Sequence, residues 1–141
     1  MKKQRLLVDF EFDFDVFGIV STYKDYKLAW NINNSLHVSL QKENDITIKF
    51  VDSELVVSHF KYNTESSELQ LLRNKSYELS GGENQYLIPE MAQIDYFVLV
   101  QGEIYGYTES EMQSNLKKTD GIEFVMKLDV EKLKSRENFI F

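Results

Sequence analysis

"YLIPEMAQIDYFVLVQG", residues 86–102, contains the chain's one proline, set directly before its most apolar run. Proline has no N–H for a sheet ladder and pushes the preceding residue out of the helical region. The stretch therefore predicts an extended Ile88, then Pro89 opening a tight turn or the first turn of a short helix, where its missing N–H costs nothing. Glu90 falls in that turn, where a carboxylate interacts well with free backbone N–H groups. The chain then enters a strand near Ile94. Its apolar character predicts a central place in a sheet, with Asp95 and Tyr96 on opposite faces. Asp95, at the strand's start, is expected to reach a turn amide, a lysine or water.

Working outward, the chain predicts short strands around two helices. "LLVDFEFDFDVFGIVS" (6–21) alternates apolar and acidic residues over 8–15, the pattern of a strand with one wet face; Gly18 then suggests a bulge or a bend. "STYKDYKLAWNINN" (21–34) predicts a first helix, capped by Ser21 or Thr22, with Tyr23, Tyr26, Ala29 and Trp30 on its core face, Leu28 and Ile32 widening that face, and Asn33-Asn34 at its end. Strands are expected at "SLHVSL" (35–40), "ITIKFV" (46–51), "LVVSHFKY" (55–62) and "ELQLLR" (68–73), the last joined by a hairpin turn at Asn74-Lys75 to "SYEL" (76–79). "YTESEMQSNLKKTDG" (107–121) predicts a second helix with Thr108 and Glu111 as a capping box, and "IEFVMKLDV" (122–130) a further strand. The closing "NFIF" (138–141) is apolar enough to dock on its own fold, as an added strand or otherwise; a dimer partner or another protein are the alternative acceptors. The expected fold is α+β: one meander-rich antiparallel sheet of about six or seven strands with two main helices on one face, forming a single domain over 1–141.

Composition narrows the function classes. Apolar residues make up 43%, aromatic residues 13% and charged residues 28%, a globular balance rich in sheet-compatible rings. The net charge of −7, from 23 acidic and 16 basic residues, opposes binding to phosphate backbones and anionic lipid, so neither nucleic acid nor a membrane is expected as a partner. The absence of cysteine excludes disulfides, thiolate metal sites and thiol nucleophiles. No segment reads as a signal peptide or membrane span, which leads to the expectation of a cytoplasmic protein, monomeric or homodimeric.

Ile88-Pro89-Glu90 followed by Asp95-Tyr96 resembles the IPExxxDY motif of a bacterial family named for it, here with four residues between Glu and Asp where the motif has three. "FGIVSTYKDYKLAWNIN" (17–33) and "LKSRENFIF" (133–141) are similar to that family's early and closing segments. The resemblance extends over most of the chain and implies no particular activity.

Candidate sites are few. Glu90 and Asp95 are a potential acid–base pair, set against the plainer expectation of a turn whose carboxylates accept from backbone donors. Asp9, Glu11, Asp13 and Asp15 offer oxygen ligands, but a strand sets them in a row, whereas calcium loops wrap around the ion. His37 and His59 belong to no metal-ligand pattern, and no phosphate-binding glycine loop or nucleophile elbow exists. The expectation is a non-enzymatic protein-interaction module with no cofactor, no metal and no catalytic residue. The alternative is a small-molecule binder or enzyme with a pocket near Ile88, Pro89, Glu90, Asp95 and Tyr96.

Overall fold

The structure is a computed structural model and describes residues 12–51, 53–77 and 85–141. Among them the strands are β1 (Asp15–Val20), β2 (Gln41–Lys42), β3 (Ile46–Lys49), β4 (Glu54–Val57), β5 (His59–Asn63), β6 (Glu68–Arg73), β7 (Tyr96–Gln101) and β8 (Phe124–Leu128). The α-helices are α1 (Asp25–Leu36) and α2 (Glu109–Lys117). Six strands form one antiparallel sheet in the order β2-β5-β6-β7-β1-β8, while β3 and β4 pair in a separate two-stranded sheet. The protein is therefore α+β, with β7 near the middle of the main sheet as its apolar run requires.

Alternation along β7 creates two cores. Tyr96, Val98 and Val100 pack with Phe17 and Ile19 of β1, with Leu28, Ala29, Ile32 and Leu36 of α1, and with Met112 and Leu116 of α2. Phe97 and Leu99 belong to a second cluster, with Val16, Leu55, Val57, Leu87, Ile88 and Phe139. This second cluster is covered by the β3–β4 sheet, the proline turn and the C-terminal segment. Phe139 docks there as part of a 3-10 turn (Arg136–Phe139) rather than as an added strand.

Several local expectations are corrected. β1 starts at Asp15, where the alternation of 8–15 ends, and residues 8–11 lie outside the described part. It sits between β7 and β8 with both faces covered, so Val16, Phe17 and Ile19 are all buried and the sequence there reads as a run, not an alternation. Gly18 makes no bulge: it stays in register opposite Phe97 and Met126. A Cβ there would lie 3.1 Å from Ile94 Cδ1, so glycine lets the proline-turn segment approach the sheet.

Helix α1 starts at Asp25 after Lys24, which makes no side-chain cap, and ends at His37 in the left-handed region (φ 58°), not at Asn33-Asn34. Ser21 Oγ instead accepts from the Tyr23 amide. The expected strand at 35–40 is the end of α1 followed by coil, in which Val38 and Leu40 are buried. Its buried stripe is aliphatic, and Tyr26 and Trp30 point outward, each 63% exposed. Helix α2 keeps its capping box: the Glu111 amide donates to Thr108 Oγ1 (3.1 Å) and the Thr108 amide to Glu111 Oε1 (2.9 Å). After it, Gly121 (φ +91°) lies where any Cβ would strike the Tyr23 ring.

The run at 55–62 is two strands, broken at Ser58 between the two sheets. Among the described residues Asn74-Lys75 is not a two-residue hairpin turn. Lys75 bridges to Tyr86, the Ser76 amide donates to Gln85 O (2.8 Å), and Val56 N donates to Ser76 Oγ (2.9 Å). The remainder of the expected return strand, 78–79, lies outside the described residues.

Candidate functional site

The proline turn forms as its residues dictate. Ile88 is extended (φ −122°, ψ 89°), and Pro89–Met91 make one 3-10 turn with proline in its first positions. Asn74 holds this turn. It is fully buried; its Nδ2 donates to Met91 O (2.9 Å) and Ile94 O (2.8 Å), and its Oδ1 accepts from the Ile88 amide (2.9 Å). Its backbone adds bonds to Asp95 O and from Leu87 N. The side chain thus supplies partners to Ile94 O and the Ile88 amide, which the short turn leaves unpaired, and a second donor to Met91 O, which also accepts from the Ile94 amide. The sequence reading placed Asn74 in a hairpin turn and missed this role, because its partners lie 14 to 20 residues away.

Glu90 is exposed and clamps the C-terminal segment: its Oε2 accepts from the Ser135 amide (2.6 Å) and its Oε1 from the Ser135 hydroxyl (2.9 Å). Partial burial alone would raise its pKa. Donation from the Ser135 amide, its own amide, the Ser135 hydroxyl and the Lys134 amide outweighs this, and the pKa falls below the ordinary 4.5. A depressed carboxyl pKa stabilises the fold above pH 4.5, and that contribution is lost as pH falls through the lower folded value. Glu90→Gln should reduce this acid sensitivity. At neutral pH it should cost only about 1 kcal/mol, because the site is solvated. Thermal melts from pH 3 to pH 7 check both; an identical pH profile for the variant would show that Glu90 does not anchor Ser135 in solution.

Asp95 and Tyr96 diverge from Glu90. Asp95 Oδ2 accepts from the Ser21 amide (2.9 Å), the turn-amide role expected of it. Tyr96 is buried and its hydroxyl donates to Tyr23 O (2.7 Å). Burial drives the Tyr96 pKa up to about 12; Arg73 opposes this, and Asp25, Asp95 and Tyr77 add to it. The phenol is therefore a neutral donor at physiological pH. These two residues line a cleft of about 750 Å³ between the Ser21–Asp25 segment and the end of β6, and Glu90 is not among its lining residues. The proposed carboxylate pair is thus not brought together.

The cleft has tyrosine walls and charged edges. Tyr77 Oη donates to Asp25 Oδ2 (2.8 Å), and the Arg73 guanidinium lies over the Tyr77 ring at 5.5 Å. Asp25 Oδ1 accepts from the Tyr26 amide (2.7 Å). A second, smaller cavity of about 300 Å³ lies beside the C-terminal segment, lined in part by His59, Gln70 and Phe141. There His59 Nε2 bonds Gln70 Oε1 (2.6 Å) and the Phe141 ring meets the imidazole edge-on at 5.4 Å. Burial is the main cause lowering the His59 pKa.

The other candidates are dispersed. Asp13 accepts from Gln101, Asp15 pairs with Lys127 (3.5 Å), and Asp9 and Glu11 lie outside the described residues. His37 caps α1 instead of lying in a strand. Among the described residues no cluster of three or more His, Asp or Glu side chains is placed to hold a metal, and no helix is long and apolar enough to cross a membrane. Compared with protein-family models and with curated proteins, the chain matches none.

Proposed function

We propose that this chain is a non-enzymatic protein-interaction module whose contact surface is the outer face of α1. One observation carries the reading. Tyr26 and Trp30 stand one helical turn apart and are each 63% exposed, on a helix whose opposite stripe is buried. Exposed Trp and Tyr are costly to keep in water and are the residue types that dominate binding energy at interfaces. Membership of the family with the IPExxxDY motif is part of the same proposal, supported by the Ile-Pro-Glu and Asp-Tyr pairs and weakened by the extra residue between them.

Trp30 is the chain's one tryptophan, so its fluorescence reports directly on this surface. The test is photo-crosslinking from position 30 in cells of the native host, followed by titration of the captured protein in purified form. The reading expects a saturable blue shift of Trp30 emission. It also expects about tenfold weaker binding by Trp30→Ala, with melting unchanged, which corresponds to about 1.4 kcal/mol. Binding unaffected by Trp30→Ala would place the contact surface elsewhere.

A second reading, a small-molecule binder, is favoured by the cleft that Asp95 and Tyr96 line. Its volume of about 750 Å³ lies within the range of about 300–1,000 Å³ typical of ligand sites.

A further inference from the structure

We propose that the cleft beside Asp95 and Tyr96 binds a small flat-ringed organic anion, with its carboxylate or phosphate oxygens on Arg73 and Lys75 and its ring against the tyrosines. The proposal rests on the second reading above and gives that site a ligand class.

The argument starts from charge. The chain carries a net −7, yet Lys24, Arg73 and Lys75 all line this one cleft, against two carboxylates, Asp25 and Asp95. Those carboxylates are already engaged by internal donors. Asp95 accepts from the Ser21 amide, and Asp25 accepts from the Tyr26 amide and the Tyr77 hydroxyl. The cations are not: ion pairs among the described residues involve Lys42, Lys61, Lys127 and Lys132. Three cations lining one concavity, with no ion-pair partner among the described residues, leave its electrostatic capacity positive, and a low-dielectric wall strengthens that field.

Geometry then selects the shape of the anion. Arg73 ends β6 in register with Tyr96, so its position is fixed by the sheet. Its guanidinium lies 5.5 Å from the Tyr77 ring centroid, a cation–π contact that restrains it, and a guanidinium fork can bind two oxygens at once. Tyr77 is held in turn by Asp25. The ring of Tyr23 is held in place: it is backed by Gly121, where no side chain fits, Lys27 Nζ lies over it at 4.2 Å, and its hydroxyl donates to Asp120 (3.0 Å). Tyr86, bridged to Lys75, completes the aromatic lining. Of these rings, Tyr77 and Tyr86 keep accessible surface against which a flat ligand ring packs at little entropic cost.

The experiment is a set of amide-resolved NMR titrations of the full chain with four probes: 4-hydroxybenzoate, phenyl phosphate, inorganic phosphate and phenol. The two ring-bearing anions should give saturable shifts around residues 21–25, 73–77 and 95–96, with a Kd of about 1 mM or tighter and weaker binding at high salt. Inorganic phosphate and phenol should each bind about tenfold more weakly. Arg73→Gln should weaken the ring-bearing anions about tenfold, Arg73→Lys by less than that, and Trp30→Ala not at all. Lys75→Gln provides the same test if Arg73→Gln fails to fold.

Phenol binding as tightly as the anions would keep a small-molecule site but overturn the anionic ligand. Inorganic phosphate binding as tightly would overturn the ring requirement. No cleft shifts with any probe would overturn the inference together with the second reading, and unchanged affinity in the charge-removing variants would remove Arg73 and Lys75 from the site.

Discussion

Phe139→Ala should lower the stability of this protein by about 3 kcal/mol, visible as a fall in Tm of about 10 °C. Phe139 is followed by two residues in the sequence, a position where fraying is the usual expectation. Here the ring is 4% exposed and meets Phe97 of β7 edge-on at 5.3 Å and Phe14 at 6.4 Å. Deleting it opens a cavity against a central strand, and neighbours on a sheet cannot collapse to fill it. Asn138 fixes the approach, its Nδ2 donating to Leu87 O at 2.7 Å, and Glu90 holds Ser135 just before it. Phe141 is 56% exposed, so removing it alone should change Tm little. Melting of the two variants separates the cases. An unchanged Tm for Phe139→Ala would mean that the segment is undocked in solution and free for another acceptor.

The second large effect is expected at Asn74. Replacing it with alanine strands Ile94 O and the Ile88 amide, at about 1–3 kcal/mol for each buried group left unpaired, and leaves Met91 O with the Ile94 amide as its one remaining donor. Water entering the vacated space offsets part of that, so a total of about 3–4 kcal/mol is expected from chemical denaturation. Asn74→Asp is the sharper probe. It keeps the volume but replaces two N–H donors with lone pairs aimed at two carbonyl oxygens. Burial and those carbonyls raise the folded-state pKa of the introduced carboxyl. The variant should therefore be most stable at acid pH and lose stability as pH rises through that pKa. A wild-type pH profile in Asn74→Asp would refute the role of Asn74 as the hub of the turn.

How much was legible follows from the range of each interaction. The α2 capping box is set by neighbours within four residues and the start of the proline turn by Pro89 itself, so sequence alone predicts both, whereas Asn74, which holds that turn, is distant in the chain. β7 is legible from its continuous apolar run, and with it the α+β class and the antiparallel sheet. The core face of α1 is legible in part: Leu28, Ala29 and Ile32 are buried as expected, but Tyr26 and Trp30 are exposed and Leu36 completes the stripe instead. Both stripes have helical spacing, and only packing against the sheet decides which turns inward. The break at Ser58 carries no local signal, since Val57 and Phe60 are equally apolar and differ only in the sheet they join. The cleft is less legible still: Arg73, Asp25 and Tyr96 are far apart in the chain and meet because β6 lies beside β7 and α1 starts above them.

The place of β1 has a consequence for the order in which the fold is made. It precedes every other described strand in the sequence, yet it pairs only with β7 and β8, whose paired residues lie 77 to 112 positions later. During synthesis, at about 5–20 residues per second, β5 and β6 can pair as soon as they emerge, while β1 waits several seconds for a partner. Its apolar residues, Val16, Phe17 and Ile19, belong to both cores and are exposed throughout that interval. Asp9, Glu11 and Asp13 just before it, and Asp15 at its first position, carry like charges of the kind that discourage two waiting copies from pairing edge to edge. The acidic stretch is thus suited to guard the nascent chain until β1 is enclosed between β7 and β8.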